Sequence, residues 1–190
     1  INKTKKAKPL AVNSKVVILF TIMCFIWGST WLAIKIGLED LSPFLFAGVR
    51  FAVAAVALFV ILKFQKFSIK LKKGEFKHLF FLSLFMIAIS YGLVFWGEQY
   101  TNSAMGAVMM CCLPLFIFPV SYIMRSDEVL SVKKLLGVIV GLVGVIVIFY
   151  PKLIDGNSGL KGDIAILLSV VTYAFSTVYM KKYTADIPVR

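Results

Sequence analysis

The sequence predicts an all-α fold, a polytopic bundle of membrane-spanning helices. Three observations carry that reading: the composition, the length of the apolar stretches and the way basic residues alternate between them. Of 190 residues, 60% are hydrophobic and only 16% charged, with a mean hydropathy of +0.91. An ordinary soluble domain has about 45–50% apolar and about 25% charged residues. Water is a poor solvent for this chain, which excludes a disordered protein, a disulfide-rich secreted module and a soluble enzyme. A net charge of +12 would suggest nucleic acid in a soluble protein. In a membrane protein it reports cytoplasmic-loop bias. The expected partner is therefore the lipid bilayer, with no nucleic acid.

A helix crosses the hydrocarbon core with about 20 apolar residues. Six stretches qualify: residues 16–36, 43–62, 79–96, 104–124, 135–150 and 164–180. The fifth is short, about 24 Å at about 1.5 Å per residue, but almost purely Leu, Val, Ile and Gly, and its ends can snorkel. The first is too long for a cleavable signal peptide, and no small-residue cleavage pattern follows it.

The loops set orientation. Lys3, Lys5, Lys6, Lys8 and Lys15 precede the first span, and Lys63, Lys66, Lys70, Lys72, Lys73 and Lys77 separate the second from the third. Arg125, Lys133 and Lys134 lie between the fourth and fifth, and Lys181, Lys182 and Arg190 follow the sixth. Seventeen of the twenty-one basic residues thus fall on one side, and only Lys152 and Lys161 on the other. This positive-inside pattern places the N-terminus in the cytoplasm of a multi-pass protein of the plasma or bacterial inner membrane. The Lys-rich stretch 63–77 reads as a topology signal and an anionic-lipid contact.

Cys24, Cys111 and Cys112 lie inside apolar runs and read as buried small hydrophobes. Nothing at ligand spacing surrounds them, and His78 is the only histidine. No metal, cofactor or catalytic residue is expected.

Two basic residues fall inside spans. A base at a helix centre costs about 2.5–3.5 kcal/mol on insertion scales and normally faces a bundle interior or a wet cavity. Arg50 shares the stripe Ala47, Arg50, Ala54, Ala57. Small residues let helices approach closely, so this face is expected inward, with Phe44, Phe51 and Phe59 towards lipid. Lys35 ends the stripe Trp27, Trp31, Lys35. It has two readings: a cavity wall with cation–π contacts, or an interfacial anchor snorkelling outward beside Trp31. Trp27 is too deep for an interfacial belt and reads as cavity wall. Glu98, on the stripe Tyr91, Phe95, Glu98, also has two readings. It forms a salt bridge with Lys35 or Arg50, or it binds substrate cations or exchanges protons.

The fourth span carries Ser103, Gly106 and Pro114. An intramembrane Pro frees a carbonyl and kinks its helix; such helices border transporter sites, although packing accounts for this Pro equally well. Gly137, Gly141 and Gly144 form a small-residue face for close packing or homo-oligomerisation. No strand–loop–helix context makes them a phosphate loop.

Sliding the chain on itself by 146 residues brings Lys15 onto Lys161, Ile18 onto Ile164, Trp27 onto Tyr173, Thr30 onto Ser176 and Lys35 onto Lys181. A unit of five helices forces its copy to insert inverted, and inverted repeats are typical of secondary transporters. The run from Trp27 through Gly28, Ser29, Thr30 and Trp31 to Lys35, followed by Pro43 and Arg50, resembles the opening of an EamA-type repeat of the drug/metabolite transporter superfamily. Trp96-Gly97-Glu98-Gln99-Tyr100 leading to Ser103, and Pro114-Leu115-Phe116, resemble its third and fourth helices. Asp127-Glu128, Leu136-Gly137 and the Gly-rich fifth helix resemble its close, and residues 162–182 resemble the first helix of a second repeat.

The resemblance implies a ten-helix carrier of two inverted five-helix repeats around a central cavity. This chain is then expected to be truncated after six helices, its sixth lacking the partners of its own repeat. Its layout would be a cytoplasmic tail (1–15), a first repeat (16–150), an extracytoplasmic loop (151–160) and the start of a second repeat (161–190). The implied function is transport of small metabolites such as amino acids or drugs by alternating access, with export as the expected direction. Candidate cavity residues are Trp27, Thr30, Trp31, Lys35, Arg50, Tyr91, Glu98, Met110 and Pro114. Arg50 or Lys35 would hold a substrate carboxylate, and Trp27 and Tyr91 would stack on its apolar part. The rivals are a non-transporting scaffold or a six-helix channel. An intramembrane enzyme would need a nucleophile and base or clustered acids at one depth, and no span carries them.

Overall fold

A computed structural model describes residues 14–66, 73–124, 132–154 and 159–184. Among the described residues every regular element is helical. Helix α1 (Ser14–Asp40) and α2 (Pro43–Phe64) form a hairpin, and α2 opens with Pro43 in its first turn, where a missing N–H costs nothing. Then come α3 (Lys73–Leu82), a π-helical segment (Ser83–Ile89) and α4 (Ser90–Glu98), which run on as a single rod. Helices α5 (Ser103–Cys111), α6 (Leu113–Ile123), α7 (Val132–Ile154) and α8 (Leu160–Tyr183) complete the bundle. The basic tail 1–13 and the pair Asp127-Glu128 lie outside the described residues.

Among the described residues five stretches are long and apolar enough to cross a membrane: Ser14–Asp40, Pro43–Phe64, Gly74–Glu98, Ser103–Ile123 and Leu160–Tyr183. The expected fifth segment is a 23-residue helix, α7, about 34 Å long at about 1.5 Å per residue. Its apolar stretch is the shorter Leu135–Val147.

Helix α8 sits at the centre. It packs on α3, the π segment, α4, α5 and α6, and 44% of its apolar window is buried, against 28% or less in the other four. The sixth span thus packs on the third (α3 to α4) and the fourth (α5 and α6). Its composition permits this. Gly162, Ala165, Ser169, Ala174 and Ser176 are small and buried, so neighbouring helices come close with little side chain between them. The tightest approach is at Gly162 and Gly97: a Cβ on Gly162 would stand 2.4 Å from the Gly97 carbonyl oxygen. One helical face further along, Ser90 Oγ donates to the Ser169 carbonyl oxygen at 2.9 Å.

Pro114 breaks the fourth span as expected. Its ring cannot continue the α-helical ladder. Helix α5 therefore ends at Cys111, Cys112 N–H turns to the Met109 carbonyl at 3.0 Å, and α6 restarts with Pro114 in its first turn.

Three expectations change. On α2 only Ala47 of the alanine stripe is buried, and Ala54 and Ala57 are exposed. Helix α2 is packed only along its first half, where Phe51 turns inward to meet Tyr91 edge-on at 4.9 Å. Cys24 and Cys111 are exposed on the outer faces and Cys112 is half-buried, all as free thiols. A lipid-facing surface accepts a small apolar thiol as readily as a core does. Of the glycine face on α7, Gly141 packs against Leu115 of α6 within the chain, while Gly137 and Gly144 meet nothing within 4 Å.

Candidate functional site

Six of the helices converge on one cavity of about 140 Å³. Helix α1 contributes Trp27, Thr30, Trp31 and Ile34, at steps of three and four that keep one face turned inward. Arg50 comes from α2, Tyr91 and Val94 from α4, and Met110 from α5. Leu113, just past the break at Cys112, and Tyr173 of α8 close the ring.

Each wall has a local cause. Trp31 is held because its ring lies on Gly106 of α5, where a Cβ would come within 2.7 Å of Trp31 Cζ3. Thr30 donates its hydroxyl to the Ile26 carbonyl at 2.9 Å, so only its lone pairs face the cavity. Tyr91 is fixed by edge-on contacts with Phe51 and with Tyr173, at 4.9 and 6.4 Å. Trp27 lines the cavity yet remains 65% exposed, which leaves the bundle open along that flank.

Arg50 is half-buried, with its guanidinium carbon 5.9 Å from the Phe51 ring centroid and 5.8 Å from that of Phe95. Aromatic faces offset part of the cost of burying a cation without using its hydrogen-bond donors. No described group accepts a hydrogen bond from this guanidinium. A charged fork with free donors, set among indole and phenol rings, can hold a planar anion bidentately.

Of the candidate site residues, Trp27, Thr30, Trp31, Arg50, Tyr91 and Met110 line this one cavity. Lys35, Glu98 and Pro114 are not on the cavity wall. Pro114 is exposed on the outer side of its kink. Lys35 follows neither of its two readings. It donates from Nζ to the carbonyl oxygens of Glu98 (2.7 Å), Gln99 (3.4 Å) and Thr101 (2.9 Å). Those carbonyls end α4 and continue into the turn before α5, where helical partners run out, and the ammonium satisfies them from α1. Replacing Lys35 by Met leaves them bare. The expected loss is about 1.5–3 kcal/mol, read as a lower unfolding temperature in detergent; an unchanged melt would show that the clamp is unimportant.

Glu98 is one turn beyond Val94 on the cavity-facing side of α4, and it is fully buried. Neither carboxylate oxygen accepts a hydrogen bond from Lys35, Arg50 or any other described group, so the expected salt bridge is not formed. Beside it, Thr101 Oγ1 donates to Asp163 Oδ1, and Lys161 Nζ stands 3.7 Å from the Tyr100 ring centroid. Helices α1 and α8 thus both grip the α4–α5 turn.

Sequence reasoning did not single out Ile34, Val94, Leu113 or Tyr173 as cavity residues, nor Asp163 as buried. A signal existed for Tyr173: the 146-residue register sets it on Trp27. For Asp163 there was none, because an acid at the edge of an apolar run reads as a loop residue.

Among known proteins, the EamA-like transporter family matches residues 14–150. The chain is similar to the uncharacterized transporter YoaV of Bacillus subtilis, with 30% identity over 88% of this chain and 57% of the relative. It is also similar to the uncharacterized inner membrane transporter YedA of Escherichia coli (30% identity, 85% of this chain, 52% of the relative). Protein PagO of Salmonella typhimurium is 26% identical over 90% of this chain and 57% of its own length. The chain thus spans a little over half the length of these curated relatives. No solved structure matches.

Proposed function

The chain belongs to the EamA-like transporter family, and from that premise we propose that it carries small carboxylate-bearing metabolites, amino acids foremost, across the membrane by alternating access. It is a multi-pass membrane protein of a transporter family, so its surroundings are lipid and its cargo is a small molecule. Export is the direction we assign, with the N-terminus in the cytoplasm in keeping with the bias of basic residues.

The observation that carries the reading is Arg50: a guanidinium inside a membrane bundle, facing a cavity, with no described acceptor. Arg50 would take the substrate carboxylate, and Trp27, Trp31, Tyr91 and Tyr173 would cover its apolar part. The repeat register adds support. Trp27 and Tyr173, equivalent under the 146-residue shift, both stand on the cavity wall. Inverted-repeat carriers place their sites between related halves in this way. Rocking of the α1 side against the α8 side about the clamped α4–α5 turn would open the cavity to each face in turn.

The test is counterflow. Purified protein is reconstituted into vesicles preloaded with unlabelled L-phenylalanine, and entry of trace labelled L-phenylalanine is followed. Saturable, protein-dependent overshoot is the expected result. Single-channel conductance with no saturation would make the protein a channel, and neither flux nor conductance for any amino acid would make it a scaffold.

A further inference from the structure

Glu98 has no part in the cavity wall, yet among the described residues it is the one buried side chain whose polar atoms have no hydrogen-bond partner. It is 0% exposed, and both carboxylate oxygens lack a donor among the described residues. An ionised carboxylate in that setting is expensive unless charge and hydrogen bonds compensate it. The surrounding groups can be followed helix by helix. From α1, Lys35 is near, but its ammonium is committed to three backbone carbonyls. From α2, Arg50 is the other cation whose charge reaches the carboxylate, and its donors are free. From α5, Ser103 lies alongside without meeting hydrogen-bond geometry. From α8, Asp163 is engaged with Thr101 and Lys161 with the Tyr100 ring.

We propose that Glu98 is a proton-binding site linked to the substrate site through Arg50, so that one proton binds with each substrate carboxylate and leaves with it. The inference rests on the cavity reading above and adds the coupling ion to it. Lys35 and Arg50 both bring positive charge to Glu98, Lys35 the more strongly, but Lys35 is fixed in place by its three carbonyls, so the compensation that a substrate can alter is that of Arg50, whose donors are free. A substrate carboxylate docking on the same guanidinium takes that compensation away. The added negative charge makes the ionised form of Glu98 costlier, and taking up a proton there offsets it. The ammonium of Lys35 already fills the carbonyl cluster at the end of α4 that a monovalent metal ion would want, which leaves the proton as the exchangeable cation here. Outward movement of substrate carries a proton outward, so export proceeds only while the internal excess of substrate outweighs an inward proton gradient.

The experiment uses vesicles with a trapped pH-sensitive dye, with labelled L-phenylalanine as the probe. In one arm counterflow is measured at equal pH; in the other, downhill entry of L-phenylalanine is followed together with internal pH. The wild-type protein is expected to acidify the lumen by about one proton per substrate. Glu98→Gln is expected to keep measurable, slower counterflow, with fewer than about one proton per ten substrates. Glu98→Asp, which keeps the acid, is expected to acidify, and it serves if the Gln variant does not fold. Counterflow by the wild type without acidification, or acidification undiminished in Glu98→Gln, overturns the proton site and leaves the carrier standing. No counterflow by the wild type for any amino acid overturns both.

Discussion

Arg50→Ala is expected to weaken L-phenylalanine handling roughly 10- to 100-fold in apparent affinity, from the loss of charge-assisted hydrogen bonds worth about 1.5–3 kcal/mol. The guanidinium is the one free hydrogen-bonding cation on the cavity wall (among the described residues), and its neighbours Phe51 and Phe95 cannot replace it. Arg50→Lys keeps the charge but not the planar fork, so partial recovery is expected. A substrate analogue lacking the carboxylate, L-phenylalaninol, tests the assignment from the other side: its flux should be indifferent to the substitution. The measurement is counterflow against substrate concentration for the three proteins and both compounds. Wild-type kinetics in Arg50→Ala would remove the guanidinium from the substrate site, and an equal loss for both compounds would make its role structural.

Gly162→Val is expected to prevent the bundle from closing. A Cβ there would lie 2.4 Å from the Gly97 carbonyl oxygen and 2.9 Å from Tyr100 Cβ. The oxygen is backbone, so it cannot swing aside as the end of a flexible side chain could. Helices α4 and α8 would have to separate along their most intimate contact, and the Ser90–Ser169 and Thr101–Asp163 hydrogen bonds would go with it. Overpacking commonly costs about 1–3 kcal/mol, and a backbone collision at the central helix belongs at or above the top of that range. The expected readout is loss of a cooperative thermal transition in detergent, or a sharply lower yield of monodisperse protein. Gly144→Ala is the control, because nothing lies within 4 Å of Gly144, and it should melt like the wild type. A Gly162→Val protein with an unchanged melt would mean that the α4–α8 crossing is looser than this packing.

The two substitutions differ in how far the sequence foretells them. Arg50 announces itself: a base in an apolar run is conspicuous, and the energetic cost of its depth implies a cavity. Gly162 announces nothing, for a glycine at the edge of a span reads as a turn. The same contrast runs through the rest. Hydrophobic length marked the spans, and steps of three and four put Trp27, Thr30 and Trp31 on one helix face. Period alone could not tell which face of α2 is covered along its whole length, so Phe51 was expected to face lipid although it packs on Tyr91. In a membrane both lipid and protein accept apolar side chains, and the inside–outside contrast that sorts residues in water is largely lost.

Chain length, hydropathy and charge alternation were sufficient for the class of protein and its helices, because insertion into lipid is decided segment by segment, before any helix meets another. What tertiary structure alone decided is which polar groups are satisfied. Lys35 spends its ammonium on the end of α4, Asp163 meets Thr101, and Glu98 is buried with no donor. Each of these depends on atoms more than sixty residues apart in the chain or on the closeness of two helices at a pair of glycines, and no local pattern encodes a distance between helices.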